Sequence, residues 1–270
     1  MIHQSGTNVN YFMKNQTLFP LGDDLGLVQL VSRSDDPTLS VVNAARVSYN
    51  NEKEVPDERD KKLVNFLWEN GHTSPFRHAF YTFKIKAPMF VLRQWWKHQS
   101  GCRWSGFVLP DGTDVDIDVA AIQADIDNGC SWNEVSGRYV QLDSEFYIPQ
   151  EFRGNAAHGN KQQSHELNWD KEQHDVMREE FIDACANAYI RYTQMLEAGV
   201  AREQARMLLP QNIYSSVVWT VSVQSLLHFL NLRLKSDAQW EIQKYAEAIR
   251  DILKDDLLAM GVPQTALEGL

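Results

Sequence analysis

Arg93, Gln94, Lys97, His98 and Gln99 crowd the end of one predicted helix. Guanidinium, amide, ammonium and imidazole groups this close together deliver hydrogen-bond donors to a single place. Such a set suits an anionic or heterocyclic ligand. The stretch that contains them begins HTSPFRHAFYTFKIKAPMFVLRQWWKHQ at His72 and, after an acidic segment, resumes as SWNEVSGRYVQLDSEFYIP. The 3 cysteines include no Cys-x-x-Cys pair, so they offer no zinc site and suit a reducing cytosol.

The elements that must hold these groups are legible nearby. His72 to Phe76 is a polar turn ending at Pro75. His78 to Lys86 alternates apolar and polar residues, with Tyr81, Phe83 and Ile85 on one side, the period of a half-buried strand. Pro88 suits the first turn of a helix, predicted over Met89 to His98. Upstream, Leu27 to Val31 reads as a short strand. Asp35-Asp36-Pro37 opens a helix over Thr38 to Val47, whose Ala44, Ala45 and Ser48 let another group approach closely. Asp57 to Asn70 is a second helix, with Leu63, Phe66 and Leu67 on one face and Gly71 as its stop. Downstream, the pattern predicts a long amphipathic helix over Trp169 to Ala198 and a helix over Val200 to Leu209. A strand over Tyr214 to Val221 follows, then helices over Ser225 to Leu234 and Asp237 to Leu258, the last capped by Asp237. Strands mixed with helices, without repeated βαβ units, predict a single-domain α+β fold with a mixed or antiparallel sheet flanked by helices.

At 270 residues, 43% of them hydrophobic, the chain can bury one sizeable core. A formal net charge of -10 argues against a general nucleic-acid or membrane binder, because no basic field would gather phosphates. A local arginine pocket for one phosphate remains compatible with it. No apolar run approaches bilayer length, and MIHQSGTNVNYFM lacks the apolar core of a signal peptide, so the expected location is cytoplasmic. Residues 1–26 read as an arm and 27–270 as one domain, interrupted by an acidic insert at about 101–129. Asp111, Asp114, Asp116 and Asp118 in that insert lack EF-hand spacing, which favours a solvated acidic loop over a calcium site. Two free thiols are favoured there over a Cys102–Cys130 bridge.

Blocks along the chain carry a resemblance. They are RVSY at 46–49, HTSPFRH at 72–78, RQWWKH at 93–98, NEVSGRY at 133–139, EFYIP at 145–149, ARMLLPQNIY at 205–214, SLLHFLNLR at 225–233 and AQWEIQKYA at 238–246. Their types and order resemble the flavin-dependent thymidylate synthases, the ThyX type. The resemblance implies a homotetramer with active sites built from several subunits. It also implies reductive methylation of dUMP to dTMP with FAD, NADPH and methylenetetrahydrofolate. A relative acting on UMP, or attaching another one-carbon group in a specialised pathway, is the alternative.

The chemistry asks for ring activation, since uracil C5 is a poor nucleophile. Either a cysteine adds at C6, or a fixed cation favours ionisation at N3 while a cofactor supplies the hydride. The Pro-Cys-His context of the thiol-dependent synthases is missing, and Cys185 falls mid-helix, which favours the second route. By resemblance, Arg233 is that cation; read from the sequence alone, it could equally pair with Asp237 or Glu241 near a helix end. The resemblance places Arg93, Gln94, Glu134, Ser136, Gly137, Arg138 and Arg206 around the nucleotide, the last two arginines suiting phosphate. Ser136 has no His or Asp at triad-like spacing and is assigned to binding. His72, Ser74, Lys97, His98, Gln99, Ser222, Gln224 and His228 take the flavin positions, with His72 also near the folate. Here the chain departs from the pattern. Lys97-His98-Gln99 stands for Arg-His-Arg, and Ser222 and Gln224 replace an Asn and an Arg that contact the cofactor.

Overall fold

A computed structural model describes residues 17–98, 131–155 and 163–268. Its centre is a pair of long antiparallel strands, β3 (Phe80–Pro88) and β7 (Tyr214–Ser222), in register from Phe80 opposite Ser222 to Pro88 opposite Tyr214. Alternation gives both strands one buried face: Tyr81, Phe83, Ile85 and Ala87 on β3, Val217, Trp219 and Val221 on β7. β2 (Leu27–Arg33) pairs with the free side of β3 and carries the short edge strand β1 (Thr17–Leu18); β4 (Ser131–Glu134) pairs with β7. The order is β1-β2-β3-β7-β4, antiparallel throughout, so the antiparallel half of the expected mixed or antiparallel sheet is what forms. β5 (Arg153–Asn155) and β6 (Ser164–Glu166) make a separate ribbon.

Helices cover the apolar face. α1 (Pro37–Arg46) starts at Asp36, whose carboxylate accepts from Leu39 N, and α2 (Glu58–Glu69) starts in a capping box between Asp57 and Asp60. α3 (Met89–Trp95) follows β3 directly. α4 (Lys171–Glu197), the short α5 (Arg202–Ala205), α6 (Val223–Arg233) and α7 (Trp240–Met260) complete the described set. The core is the inner face of β3 and β7 against Leu226, Leu227 and Leu230 of α6 and Ile242, Ile249, Leu253 and Leu257 of α7. None of the described helices is long and apolar enough to cross a membrane.

Several expectations need correction. Phe66 is 53% exposed; the inner face of α2 is Asp60, Val64 and Leu67, with Asp60 held by Arg46 and Lys53. The helix expected over Val200 to Leu209 breaks into α5 and a 3-10 turn, Arg206–Leu208. α7 begins at Trp240 with Gln239 at the cap position, so Asp237 precedes the helix and does not cap it. α4 buries only Cys185 and Tyr192, while Phe181, Ile182, Ile190 and Met195 stand exposed. It is tethered to the 142–147 loop through Tyr192 and Tyr189 rather than to the sheet. Residues 17–26, read from the sequence as part of the arm, add β1 to the sheet and bury Leu21. The acidic insert, Cys102, Cys130 and Gln99 lie outside the described residues.

One cluster ties the layers together. Trp95, at the end of α3, stacks on Phe229 of α6 at 4.8 Å and 18°. Its edges meet Trp219 of β7 at 5.5 Å and Tyr245 of α7 at 5.6 Å. Stacked and edge-to-face rings satisfy the ring quadrupoles while removing large apolar areas from water. Trp95→Ala is expected to cost about 3–5 kcal/mol of stability in urea unfolding, and Trp95→Phe much less. A loss below about 1 kcal/mol for the alanine variant would show that the cluster is not the joint described here.

Candidate active site

α3 leaves the Pro88 end of the β3–β7 ladder and α6 leaves the opposite, Ser222 end. Both helices therefore run back over the sheet from opposite ends, and the ring stack of Trp95 on Phe229 brings their final turns together. Pro88 offers no capping side chain; the first free N–H groups of α3, on Met89 and Phe90, donate instead to Ile213 O at 2.9 Å and Gln211 O at 3.0 Å. Ser222 caps α6, its hydroxyl accepting from Ser225 N at 3.3 Å, and is almost fully buried.

At the convergence, Arg233 Nε donates to His98 Nε2 at 2.9 Å. Arginine has no acceptor, so Nε2 must carry the lone pair, and the imidazole is neutral with its proton on Nδ1. His98 is 6% exposed, lies edge-on to Phe229 at 5.1 Å and has the His228 ring 6.0 Å away. Burial first, then the charge of Arg233 and His228, pushes its pKa down to about 4. Burial also lowers that of Arg233, though a guanidinium stays charged. The pair is a fixed, partly desolvated cation held by a neutral acceptor.

Gln94 is oriented by a chain of side chains. Its Nε2 donates to Gln239 Oε1, Gln239 Nε2 donates to Glu241 Oε2 at 2.9 Å, and Tyr147 donates to the other Glu241 oxygen at 3.4 Å. A carboxylate only accepts, so it fixes the direction of both amides in turn. Glu241 is thus engaged by Gln239 and Tyr147. Arg93 and Lys97 flank this group and are exposed.

A second group forms after β4. Val135 N bonds to Ser216 O at 2.9 Å, continuing the sheet, and Tyr139 N closes a turn on Ser136 O at 2.9 Å. The Ser136 hydroxyl accepts from Arg138 N at 3.3 Å. A Cβ on Gly137 would sit 3.2 Å from Arg206 Cδ and 3.2 Å from Leu142 Cδ1, so the glycine allows Arg206 its close approach. The structure thus joins Ser136, Gly137 and Arg138 to Arg206, although they are distant in sequence. Glu134, Arg138 and Arg206 are exposed.

The third group is a cleft of about 400 Å³ between the end of α1 and the 72–77 turn, lined by Ala44, Ala45, Ser48, His72, Ser74 and Arg77 among others. Gln224 reaches it from α6, donating to Thr73 Oγ1 at 2.9 Å and accepting from Arg77 Nε at 2.6 Å. Small residues ending α1 had pointed to a close approach at this place. Thr73, Arg77 and Gln239 carry no role in the sequence reading, and Glu241 only that of a possible partner for Arg233. The AQWEIQKYA block contained the last two, but only the bonds from Gln94 to Gln239 and from Gln239 to Glu241 connect them to this group.

A family model described as thymidylate synthase complementing protein matches residues 29–108 and 115–257. The flavin-dependent thymidylate synthase of Thermosipho africanus is 40% identical over 233 residues, covering 86% of this chain and 87% of that protein. A flavin-dependent thymidylate synthase of Thermus thermophilus is 39% identical over 232 residues, covering 86% and 73%. The crystal structure of a UMP/dUMP methylase, PolB, from Streptomyces cacaoi bound with 5-Br dUMP aligns with a TM-score of 0.65. It shares 27% identity and covers 87% of this chain and 95% of that one. Its counterpart bound with 5-Br UMP aligns with a TM-score of 0.63 at 26% identity, covering 87% and 94%.

The His98 assignment has a pH consequence. The imidazole titrates near 4 in the folded chain against 6.5 ordinarily, so the unfolded chain takes up its proton first as the pH falls. The contribution of His98 to stability is complete above about 6.5 and is lost as the pH drops toward 4. Urea midpoints measured across that window are expected to fall less steeply for His98→Gln than for the unaltered chain. Parallel profiles would mean that His98 is not held neutral.

Proposed function

We propose that this chain, which belongs to the flavin-dependent thymidylate synthase family, makes dTMP by reductive methylation of dUMP, using FAD, NADPH and methylenetetrahydrofolate. The observation that carries the reading is the half-buried Arg233 held by a neutral His98. A guanidinium fixed where water is largely excluded stabilises negative charge developing on a pyrimidine ring far better than one in bulk solvent. His98, held neutral, adds no charge of its own to the field of the guanidinium at the ring. Arg233 would then favour ionisation at N3 and raise electron density at C5.

The remaining residues bind and orient. Gln94, its amide direction fixed by Gln239 and Glu241, suits the ring edge. Arg138 and Arg206 suit the nucleotide phosphate, with Ser136 and Gly137 shaping the loop between them and Arg93 and Glu134 at the rim. A covalent thiol has no support among the described residues, because Cys185 is buried in α4 against Asn212 at 3.2 Å. The cleft fits a flavin by its chemistry: short side chains of Ala44, Ala45 and Ser48 leave room, His72 and Ser74 supply polar contacts, and Gln224 is bonded to Thr73 and Arg77 of the lining. His228, Lys97 and Gln99 complete the proposed cofactor set; Ser222, expected there from the sequence, is instead buried as the cap of α6, the helix that carries Gln224 and His228. A bound flavin supplies hydride-transfer chemistry that no side chain has.

We further propose a cytoplasmic homotetramer with shared active sites. Exposed arginines at 138 and 206 and the exposed apolar residues of α4 support a second copy covering this side. The unit is one domain that takes in residues 17–26 through β1, with an acidic insert at about 101–129. A second reading, a C5-methylase that accepts UMP as well as dUMP, is favoured by the resemblance to the Streptomyces cacaoi enzyme. Turnover with each nucleotide separates the two.

Purified protein is expected to be yellow, or to become so with FAD, and to form dTMP from dUMP. Arg233→Ala should lower kcat about 100-fold with a smaller effect on nucleotide binding. Arg206→Ala should instead raise the KM for dUMP about tenfold with a smaller effect on kcat. Equal losses in both parameters for both variants would contradict the division of roles. Colourless protein that FAD cannot reconstitute would overturn the proposed function.

A further inference from the structure

We infer that Arg77 is an anion-binding residue of the cleft, placed to contact the phosphate-bearing part of a flavin nucleotide. The inference rests on the flavin reading above and adds to it a residue and a discrimination between flavins.

The geometry is that of a held cation. Arg77 Nε donates to Gln224 Oε1 at 2.6 Å, and Gln224 Nε2 donates to Thr73 Oγ1 at 2.9 Å. Both ends of the Gln224 amide are engaged, so it clamps the base of the guanidinium and leaves the two terminal amino groups beyond the clamp. Among the described residues no carboxylate forms an ion pair with Arg77. Arg46, by contrast, is committed to the buried Asp60. A planar fork whose orientation is already set loses little freedom when it meets a phosphate oxygen pair.

The surroundings name the ligand class. Arg77 lines the cleft with Ala44, Ala45, Ser48, His72 and Ser74. Short side chains on the α1 side let a bulky group reach the guanidinium, and the serine hydroxyls suit phosphate oxygens. Gln224 stands where the resemblance implies an arginine against the cofactor. Its side chain is neutral, and the charge arrives from Arg77 through the 2.6 Å bond. Arg77, on the 72–77 turn, gives this cleft the cation that Gln224 does not. With a net charge of -10 on the chain, this local cation serves a single small anion, not a polyanion.

The test is binding, read by quenching of flavin fluorescence, and needs no turnover. FAD carries phosphates and riboflavin none, so the pair separates charge from ring recognition. For Arg77→Gln, which keeps a polar side chain of similar reach, FAD affinity is expected to fall at least about tenfold and riboflavin affinity to stay within about twofold. A thermal melt of the variant checks that the exposed substitution leaves the fold intact. Unchanged FAD affinity would overturn the inference and leave the flavin reading standing. Equal weakening of FAD and riboflavin would also overturn it, because cleft shape and not charge would then be at stake. Failure of the unaltered chain to bind either flavin would remove the proposed function and this inference together.

Discussion

The ring of Trp95 lying flat on Phe229 is the constraint from which the site follows. Each ring belongs to a helix that starts at a different end of the same strand pair. The stack decides where those helices finish relative to one another. Gln94 and His98 take their positions from Trp95, one before it and three after; His228 and Arg233 take theirs from Phe229. Trp219 from the sheet and Tyr245 from α7 close the cluster, so both helices are referenced to a rigid platform. A bond such as Arg233 to His98 is held to a few tenths of an ångström only on such a base. The Trp95 Nε1 has no hydrogen-bond partner among the described residues, a cost the packing offsets.

Two kinds of arginine surround this platform. Arg233 is half-buried, and its partner is a neutral ring, so its charge is not cancelled where it emerges. Arg138 and Arg206 are exposed, and Arg206 approaches the Arg138 loop at Gly137, which suits an ion that arrives with its own hydration. Arg77 lies between these cases: exposed, yet fixed at Nε by Gln224. Burial makes a cation strong and expensive, and exposure makes it weak and adaptable. The proposed division between ring activation and phosphate binding rests on that difference.

Much of this was legible locally. Alternation in Tyr81, Phe83 and Ile85 marked the central strand, Asp35-Asp36-Pro37 marked the start of α1, and Gly71, at φ +69, marked the stop of α2. The cluster of donors at 93–98 was visible because those residues are neighbours in sequence. What escaped was set by distant contacts. Gln94 and Gln239 are 145 residues apart, and nothing near either one announces the bond. Asp237 has the chemistry of a cap, yet the chain enters α7 three residues later. Phe66 fits the apolar period of α2, but the helix turns Val64 inward instead. Arg77 drew no reading from the sequence, because its meaning depends on a glutamine in another helix.

The central claim is that His98 is an uncharged acceptor for Arg233. Nitrogen-15 spectra of histidine-labelled protein at pH 7, with the His98 signals identified by their loss in His98→Gln, report both ring nitrogens directly. The account predicts a neutral ring protonated at Nδ1 and bare at Nε2. An imidazolium, or a ring protonated at Nε2, would contradict it.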